Sequence, residues 1–299
     1  MITNTIQRKI AYSLSLIQRA EPIALQYRDF GMIIAVSGGK DSTVLAELAR
    51  MAGVRHRLEH NLTTIDAPET VRYVRETYPD CIINRPKKNF WQICEHALFL
   101  PTQSCRFCCQ KLKEQGGELT VTVTGVRHAE SFRRKQRNEV EIMTRRRHPD
   151  YVKGTFDQFD EHREVESTCI RGKDKLIINP ILHWTEDDVW TFIRHYNLPY
   201  NPLYDEGFRR VGCVLCPMAS TREIWREVKR FPRYYQNYLR MIQRIYDARE
   251  KGPNGNSWHG LTAEQIFAWH ASKKSIEKFR SELNAPWLKF KCDTCDPSL

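Results

Sequence analysis

Chemistry is first legible at Ser37-Gly38-Gly39-Lys40-Asp41-Ser42, which follows the apolar run Met32-Ile33-Ile34-Ala35-Val36. Two adjacent glycines let backbone N–H groups approach an anion with no Cβ in the way, and a helix starting behind them adds the positive end of its dipole. The turn reads as a solvent-exposed phosphate cradle in which Lys40 supplies a full charge to a β/γ-phosphate and Ser37 and Ser42 donate hydroxyl hydrogen bonds. It is not a Walker A loop, because Ile34 stands where the first Gly belongs and Asp41 follows the Lys, and it is not GxGxxG. A second group is made of thiols. Cys105-x2-Cys108-Cys109 and Cys213-x2-Cys216 each put thiolates on one local turn, as Zn²⁺ or an iron–sulfur cluster requires. Neighbouring side chains such as Cys108 and Cys109 are expected to diverge, which suits a cube of irons better than one tetrahedral ion. Structural thiols without metal are the alternative.

These residues need a frame, and the pattern of the chain supplies one. Ile6, Ile10, Leu14, Ile17 and Ala20 mark an amphipathic helix over residues 4–29, and the strand at 32–36 is followed by a helix over 43–51. Further strands are read at 57–64, 81–84, 119–125 and 175–181, with a helix opening at Pro68. Strands alternating with helices specify an α/β domain with a mainly parallel sheet, and from Thr185 the signals become helical. The expected organisation is an N-terminal helix over 1–30, a nucleotide-binding α/β domain over 31–184, and a helical region over 185–299 that carries the CxxC pair. Residues 133–165, rich in charge and poor in aliphatics, read as a long exposed insertion.

The alternation puts two further segments at the carboxyl edge of the sheet, where ligands of open α/β folds bind. Asp66, in Thr63-Thr64-Ile65-Asp66-Ala67-Pro68-Glu69, either holds the nucleotide or Mg²⁺ or caps the following helix. Arg127, in Gly125-Val126-Arg127-His128-Ala129-Glu130-Ser131, brings a guanidinium suited to phosphate or sulfate oxygens, and Arg133 and Arg134 follow it. The candidate catalytic residues are Lys40, Asp41 and Arg127. The candidate nucleotide-holding residues are Ser37, Gly38, Gly39, Lys40, Asp41, Ser42, Asp66, Glu130 and Ser131.

The 299 residues carry 47 Lys+Arg against 36 Asp+Glu, a formal net charge of +11, which attracts nucleic acids and phosphorylated nucleotides alike. No run approaches a bilayer span, and no secretory signal is read at the N-terminus. Ten cysteines without an export signal then point to reduced thiols or metal ligands in a cytoplasm rather than to a disulfide scaffold.

The loop Ser37-Gly38-Gly39-Lys40-Asp41-Ser42 resembles the PP-loop of the N-type ATP pyrophosphatases, which cleave ATP between its α- and β-phosphates; the resemblance implies an adenine nucleotide alpha-hydrolase-like fold, a parallel sheet flanked by helices. The pair Cys108-Cys109 with Lys111 and Lys113, the stretch from Asn179 to Trp190, and the stretch from Asn201 to Ala219 are similar to the adenylylsulfate and phosphoadenylylsulfate reductase family. Members with a CC pair and a CxxC pair hold one 4Fe-4S cluster, which implies Cys108, Cys109, Cys213 and Cys216 as its ligands, with zinc the lesser alternative. The likeness runs from about Gln7 to Ser220.

Two features depart from the reductases. Their terminal Glu-Cys-Gly-x-His is replaced by Lys291-Cys292-Asp293-Thr294-Cys295-Asp296, where acidic neighbours disfavour a thiolate. The loop also keeps Lys40, which sulfonucleotide reductases commonly lose. This combination looks closer to the sulfur-activating subunit of bacterial DNA phosphorothioation systems. The expected activity is therefore Mg·ATP-dependent adenylylation of an acceptor, nucleic acid by this resemblance, with a cysteine desulfurase as sulfur donor. Sulfonucleotide reduction and non-catalytic nucleic-acid binding are the other readings. Oligomeric state and the roles of Cys105, Cys169, Cys292 and Cys295 are not specified by the sequence.

Overall fold

The computed structural model describes residues 3–114, 116–143, 151–154, 174–252 and 256–283. The chain divides into two compact units, one comprising Met1–Leu62, Asp66–Arg85 and Gln115–Gly212, the other Thr63–Ile65, Pro86–Glu114 and Cys213–Leu299. In chain order the described helices are α1 (Asn4–Tyr27), α2 (Lys40–Ala52), α3 (Pro68–Thr77), α4 (Phe90–Ala97), α5 (Phe107–Leu112), α6 (Glu186–His195), α7 (Thr221–Arg230), α8 (Pro232–Glu250), α9 (Ala263–Ser272) and α10 (Ile276–Leu283). The strands are β1 (Met32–Ala35), β2 (His56–Asn61), β3 (Ile82–Asn84), β4 (Val121–Val123), β5 (Val140–Met143), β6 (Tyr151–Gly154) and β7 (Lys175–Ile178). Among the described residues no helix is long and apolar enough to cross a membrane.

The first unit is built on one seven-stranded sheet in the order β3-β2-β1-β4-β7-β5-β6. From β3 to β7 all neighbours are parallel; β5 runs antiparallel to both β7 and β6. Met32 and Ile34 of β1 and Val121 and Val123 of β4 are fully buried with Ile17, Ala20, Leu45 and Leu48 of the covering helices, which is why β1 reads as a continuous apolar run rather than an alternating one.

Residues 185–212 belong to this sheet unit, although the change to helical signals at Thr185 placed them with the C-terminal helices. Val189, Phe192 and Ile193 of α6 share the core with α1 and α2, and Lys9 of α1 pairs with Asp188 at 2.5 Å. Residues 86–114 belong instead to the helical unit. Periodicity reports the type of an element and not the partner against which its apolar face is buried.

The expected exposed insertion over 133–165 is corrected in part. Residues 140–143 form a buried strand, with Val140 opposite Ile178 and Ile142 opposite Leu176. Charge in the segment hid the strand, yet Glu141 is 0 % exposed, because the Arg137 guanidinium pairs with it and the Asn138 N–H donates to it at 2.9 Å. Residues 144–150 and 155–165 lie outside the described residues.

In the helical unit, α4 opens with a capping box between Asn89 and Gln92 and α9 with one between Thr262 and Gln265. The inward faces of α4, α8 and α9 bring Phe90, Trp91, Tyr238 and Phe267 into edge-on or tilted ring contact.

Candidate functional site

The turn between β1 and α2 has the predicted strand-turn-helix context. Gly38 sits at φ +76°, and a Cβ there would stand 2.6 Å from Thr70 Cγ2, so both backbone and space demand glycine. Ser42 Oγ donates to the Gly39 carbonyl at 2.7 Å, and Ser37 Oγ lies 3.3 Å from Ser42 Oγ. These hydroxyls brace the turn.

Gly39 is the N-cap of α2 and offers no capping side chain. Residues far along the chain supply the missing groups: the Lys40 N–H donates to Tyr204 Oη at 3.0 Å, while Asn201 Nδ2 donates to the Gly38 carbonyl at 3.1 Å and to Thr70 Oγ1 at 3.0 Å. Burial holds the Tyr204 hydroxyl well above the usual tyrosine range, so it stays neutral and occupies a position at the helix start that an anionic oxygen would also favour. Tyr204 and Asn201 were not assigned a role from the sequence. Their one signal was the run Asn201-Pro202-Leu203-Tyr204 within a recognisable stretch.

Lys40 is buried at 5 % exposure, which corrects the expectation of an exposed loop. Its Nζ lies 3.3 Å from Glu186 Oε1 and 3.6 Å from Asp41 Oδ2, and 5.5 Å from the centre of the Tyr204 ring. Arg127, 1 % exposed, completes the square: its Nε donates to Asp41 Oδ1 at 2.6 Å and its Nη2 to Glu186 Oε2 at 2.8 Å. Two cations and two carboxylates thus neutralise one another at the start of α2. Their exposures differ, however, with the Glu186 side chain 51 % exposed and the Asp41 side chain 18 %. Glu186 is the member an incoming anion displaces most easily, since its solvation is largely retained. Gly125 makes the square compact, because a Cβ on it would lie 3.1 Å from Asp41 Cβ.

The remaining predicted residues have other duties or other places. Glu130 accepts the Arg127 N–H at 3.1 Å and pairs with Arg134, and Ser131 Oγ accepts the Arg134 N–H at 3.3 Å, so both hold the Arg127 segment in shape. Asp66 is 7 % exposed and precedes Ala67, which takes the N-cap position of α3. Burial first, then the neighbouring Arg210, pushes the Arg134 guanidinium down to about 10. Cations crowded together in this way favour an anion between them. Arg210 and Glu186 were missed in the sequence because a lone charge carries no periodic or spacing signal.

The second group of candidates lies in the helical unit. Cys108 and Cys109 are on α5, and Cys213 and Cys216 flank Leu215, which is held at φ +56°. The Leu215 N–H donates to Glu227 Oε2 at 2.5 Å, and Cys213 Sγ donates to Thr63 Oγ1 at 3.4 Å. The Cys108 and Cys109 thiols act on one another: Cys108 draws Cys109 below the usual thiol range, helped by Lys113 and Arg106, while Cys109 and burial push Cys108 up. Desolvation raises Cys216 to about 11, with the Cys213 charge adding to it. The four thiols therefore feel one another, although among the described residues no group of three or more His, Cys, Asp or Glu side chains is placed to hold a metal ion. The donor set fits a cluster in chemistry: four soft ligands, with Lys113 and Arg106 to offset their negative charge. Cys105 is exposed; Cys169, Cys292 and Cys295 lie outside the described residues.

The chain is 27 % identical over 249 residues to an uncharacterized protein of Methanocaldococcus jannaschii, covering 80 % of this chain and 54 % of that protein. It is 28 % identical over 226 residues to adenosine 5'-phosphosulfate reductase 2 of Bacillus subtilis, covering 69 % of this chain and 81 % of the reductase. The chain thus spans about half the length of the archaeal relative. Among solved structures, phosphoadenylyl-sulfate reductase from Candida auris aligns with a TM-score of 0.41 at 18 % identity, covering 71 % of this chain and 96 % of that one. The sequence pattern of the phosphoadenosine phosphosulfate reductase domain matches residues 31–219, from the start of the sheet through the CxxC pair, and the chain belongs to that family.

Proposed function

We propose that the chain binds Mg·ATP at the glycine turn, transfers the adenylyl group to an acceptor oxygen, and so prepares that oxygen for replacement by sulfur. The acceptor oxygen attacks the α-phosphorus, the bond from that phosphorus to the α,β-bridging oxygen breaks, and pyrophosphate leaves. The observation that carries this reading is the square of Lys40, Arg127, Asp41 and Glu186 at the start of α2. Its two buried cations match a β,γ-pyrophosphate, which a sulfonucleotide lacks. Phosphate oxygens would take the place of Glu186 on Lys40 and Arg127, stabilising the charge that builds on the departing group. Asp41 and Glu186 would then be the carboxylates that face Mg²⁺.

The resemblance to the DNA phosphorothioation subunit makes a nucleic acid the proposed acceptor, with which the net charge of +11 is compatible, and a cysteine desulfurase is the proposed source of sulfur. Cys108, Cys109, Cys213 and Cys216 would hold a 4Fe-4S cluster, which when bound supplies electron transfer or a landing place for sulfur. A second reading, reduction of an adenylyl or phosphoadenylyl sulfate with Cys292 or Cys295 as nucleophile, is favoured by the similarity to the Bacillus subtilis reductase.

Product analysis separates the readings. Pyrophosphate from ATP is expected in the wild type and in the Cys292→Ser, Cys295→Ser double variant, because adenylylation needs no nucleophilic thiol. Sulfite from a sulfonucleotide, lost in the double variant, would install the reductase instead. Tight DNA or RNA binding with neither product would leave a non-catalytic binder.

A further inference from the structure

Tyr204 ends a single helical turn over Pro202–Tyr204, and the preceding Asn201 clamps that turn to the glycine cradle. Asn201 is buried with both ends of its amide in use: Oδ1 accepts the Leu203 N–H at 3.1 Å, and Nδ2 donates to the Gly38 carbonyl and to Thr70 Oγ1. On its other side the Tyr204 ring meets Trp190 edge-on, with the centroids 5.1 Å apart. The hydroxyl oxygen rests against Gly39, where a Cβ would stand 3.4 Å from it. Ring and hydroxyl are thus held in place by the fold before any ligand arrives.

A tyrosine hydroxyl can accept and donate at once. Here the oxygen accepts the N–H of Lys40, the first residue of α2, at 3.0 Å, and no acceptor for its own proton is found among the described residues. Accepting from a helix start polarises the O–H, so the proton becomes a better donor and extends the positive end of the helix dipole by one atom. The charges around it suit an anion: Lys40 Nζ is 5.5 Å from the ring centre, and Glu186 bridges Lys40 and Arg127. When phosphate oxygens displace the half-exposed Glu186, Tyr204 has no reason to leave with it. It is neutral, so an anion does not repel it, and its clamp at Asn201 is buried.

We infer that the Tyr204 hydroxyl, while accepting from the Lys40 N–H, donates to a phosphate oxygen of the departing pyrophosphate. The inference rests on the ATP reading above and adds to it a binding residue outside the glycine motif. Negative charge grows on that phosphate oxygen as the bond to the α-phosphorus breaks, and the contact tightens with it.

The test is titration calorimetry of the full-length wild type, Tyr204→Phe and Tyr200→Phe with inorganic pyrophosphate, Mg·ATP and AMP, each protein held well below its own melting temperature. Phenylalanine at 204 keeps the contact with Trp190 and removes only the hydroxyl. Tyr200 also meets Trp190 edge-on, at 5.4 Å, but its hydroxyl donates to Asp205 at 2.9 Å, so its variant reports any effect that travels through Trp190. Tyr204→Phe is expected to bind pyrophosphate and ATP roughly tenfold more weakly, the low end for a hydrogen bond to a charged group, because the freed Lys40 N–H recovers part of the loss. Its AMP affinity should stay unchanged, and Tyr200→Phe should bind all three like the wild type. A ring-fluorinated tyrosine at 204, which keeps the packing and donates more strongly, should bind pyrophosphate more tightly than the wild type; equal affinity would count against the donor. Unchanged pyrophosphate affinity in Tyr204→Phe would overturn the inference and leave the hydroxyl as a helix cap. Tighter binding in Tyr204→Phe would overturn it too, by showing that the hydroxyl occupies the anion's place and must be expelled. Equal weakening in Tyr200→Phe would assign the effect to ring packing instead. A wild type that binds neither pyrophosphate nor ATP would remove the ATP reading itself, and the inference with it.

Discussion

Replacing Arg127 by methionine keeps much of the side-chain volume and removes the charge from the square at the start of α2. Asp41 loses a partner at 2.6 Å and keeps Lys40 at 3.6 Å, in a place where the Arg127 side chain is 2 % and the Asp41 side chain 18 % exposed. Breaking a buried pair from one side costs about 3–5 kcal/mol; with Lys40 still present, the low end, about 3 kcal/mol, is expected. The bond to Glu186 adds less than about 1 kcal/mol, because that carboxylate is half exposed. Urea denaturation of the wild type, Arg127→Met, Asp41→Asn and the double variant measures the coupling, expected at about 2 kcal/mol. Arg127→Lys should recover less than half of the loss, since an ammonium cannot bond Asp41 and Glu186 through a fork. A loss under about 1 kcal/mol, or additive single effects, would refute the view that Arg127 and Asp41 form a buried, mutually dependent pair.

Lys40→Ala is expected to weaken ATP binding roughly 10- to 150-fold, the equivalent of a charge-assisted contact of about 1.5–3 kcal/mol; calorimetry checks this, and unchanged affinity would detach Lys40 from the nucleotide. Gly38→Ala should destabilise by about 1–3 kcal/mol, because φ is +76° and Thr70 Cγ2 blocks the new methyl, whereas Gly53→Ala, at φ +68° with open space around it, should cost less in the same urea assay. Burial raises the Glu227 carboxyl to about 7, with the Leu215 N–H opposing and Glu223 adding. The folded chain therefore favours the protonated form, and this contribution, at most about 3 kcal/mol, is complete below about pH 4.5 and lost as pH rises through 7. Glu227→Gln keeps an acceptor for Leu215 and should flatten the fall in melting temperature between pH 5 and 8, while parallel curves would contradict the assignment. Anaerobically purified protein should carry about four irons and four sulfides per chain; one zinc and no iron would replace the cube by a single ion.

The sequence by itself determined what is local. A buried strand, two glycines and a helix start specify the cradle within a dozen residues, because backbone reach and φ > 0 are written into residue type. The alternation of strands and helices likewise foretold a parallel sheet, and the paired cysteine motifs named their own spacing. Tertiary structure decided what closes the cradle and what the motifs face. The Lys40 N–H and Tyr204 Oη are 164 positions apart, Arg127 and Asp41 86, and Arg127 and Glu186 59. Nothing periodic in Asn201, Tyr204 or Glu186 marks them, since a single polar residue acquires meaning only from the burial and the partners that folding gives it. The same reason moved α6 to the sheet unit and turned the charged stretch around Glu141 into a buried strand: the energy of an element lies in the surface it covers, and that surface belongs to distant parts of the chain.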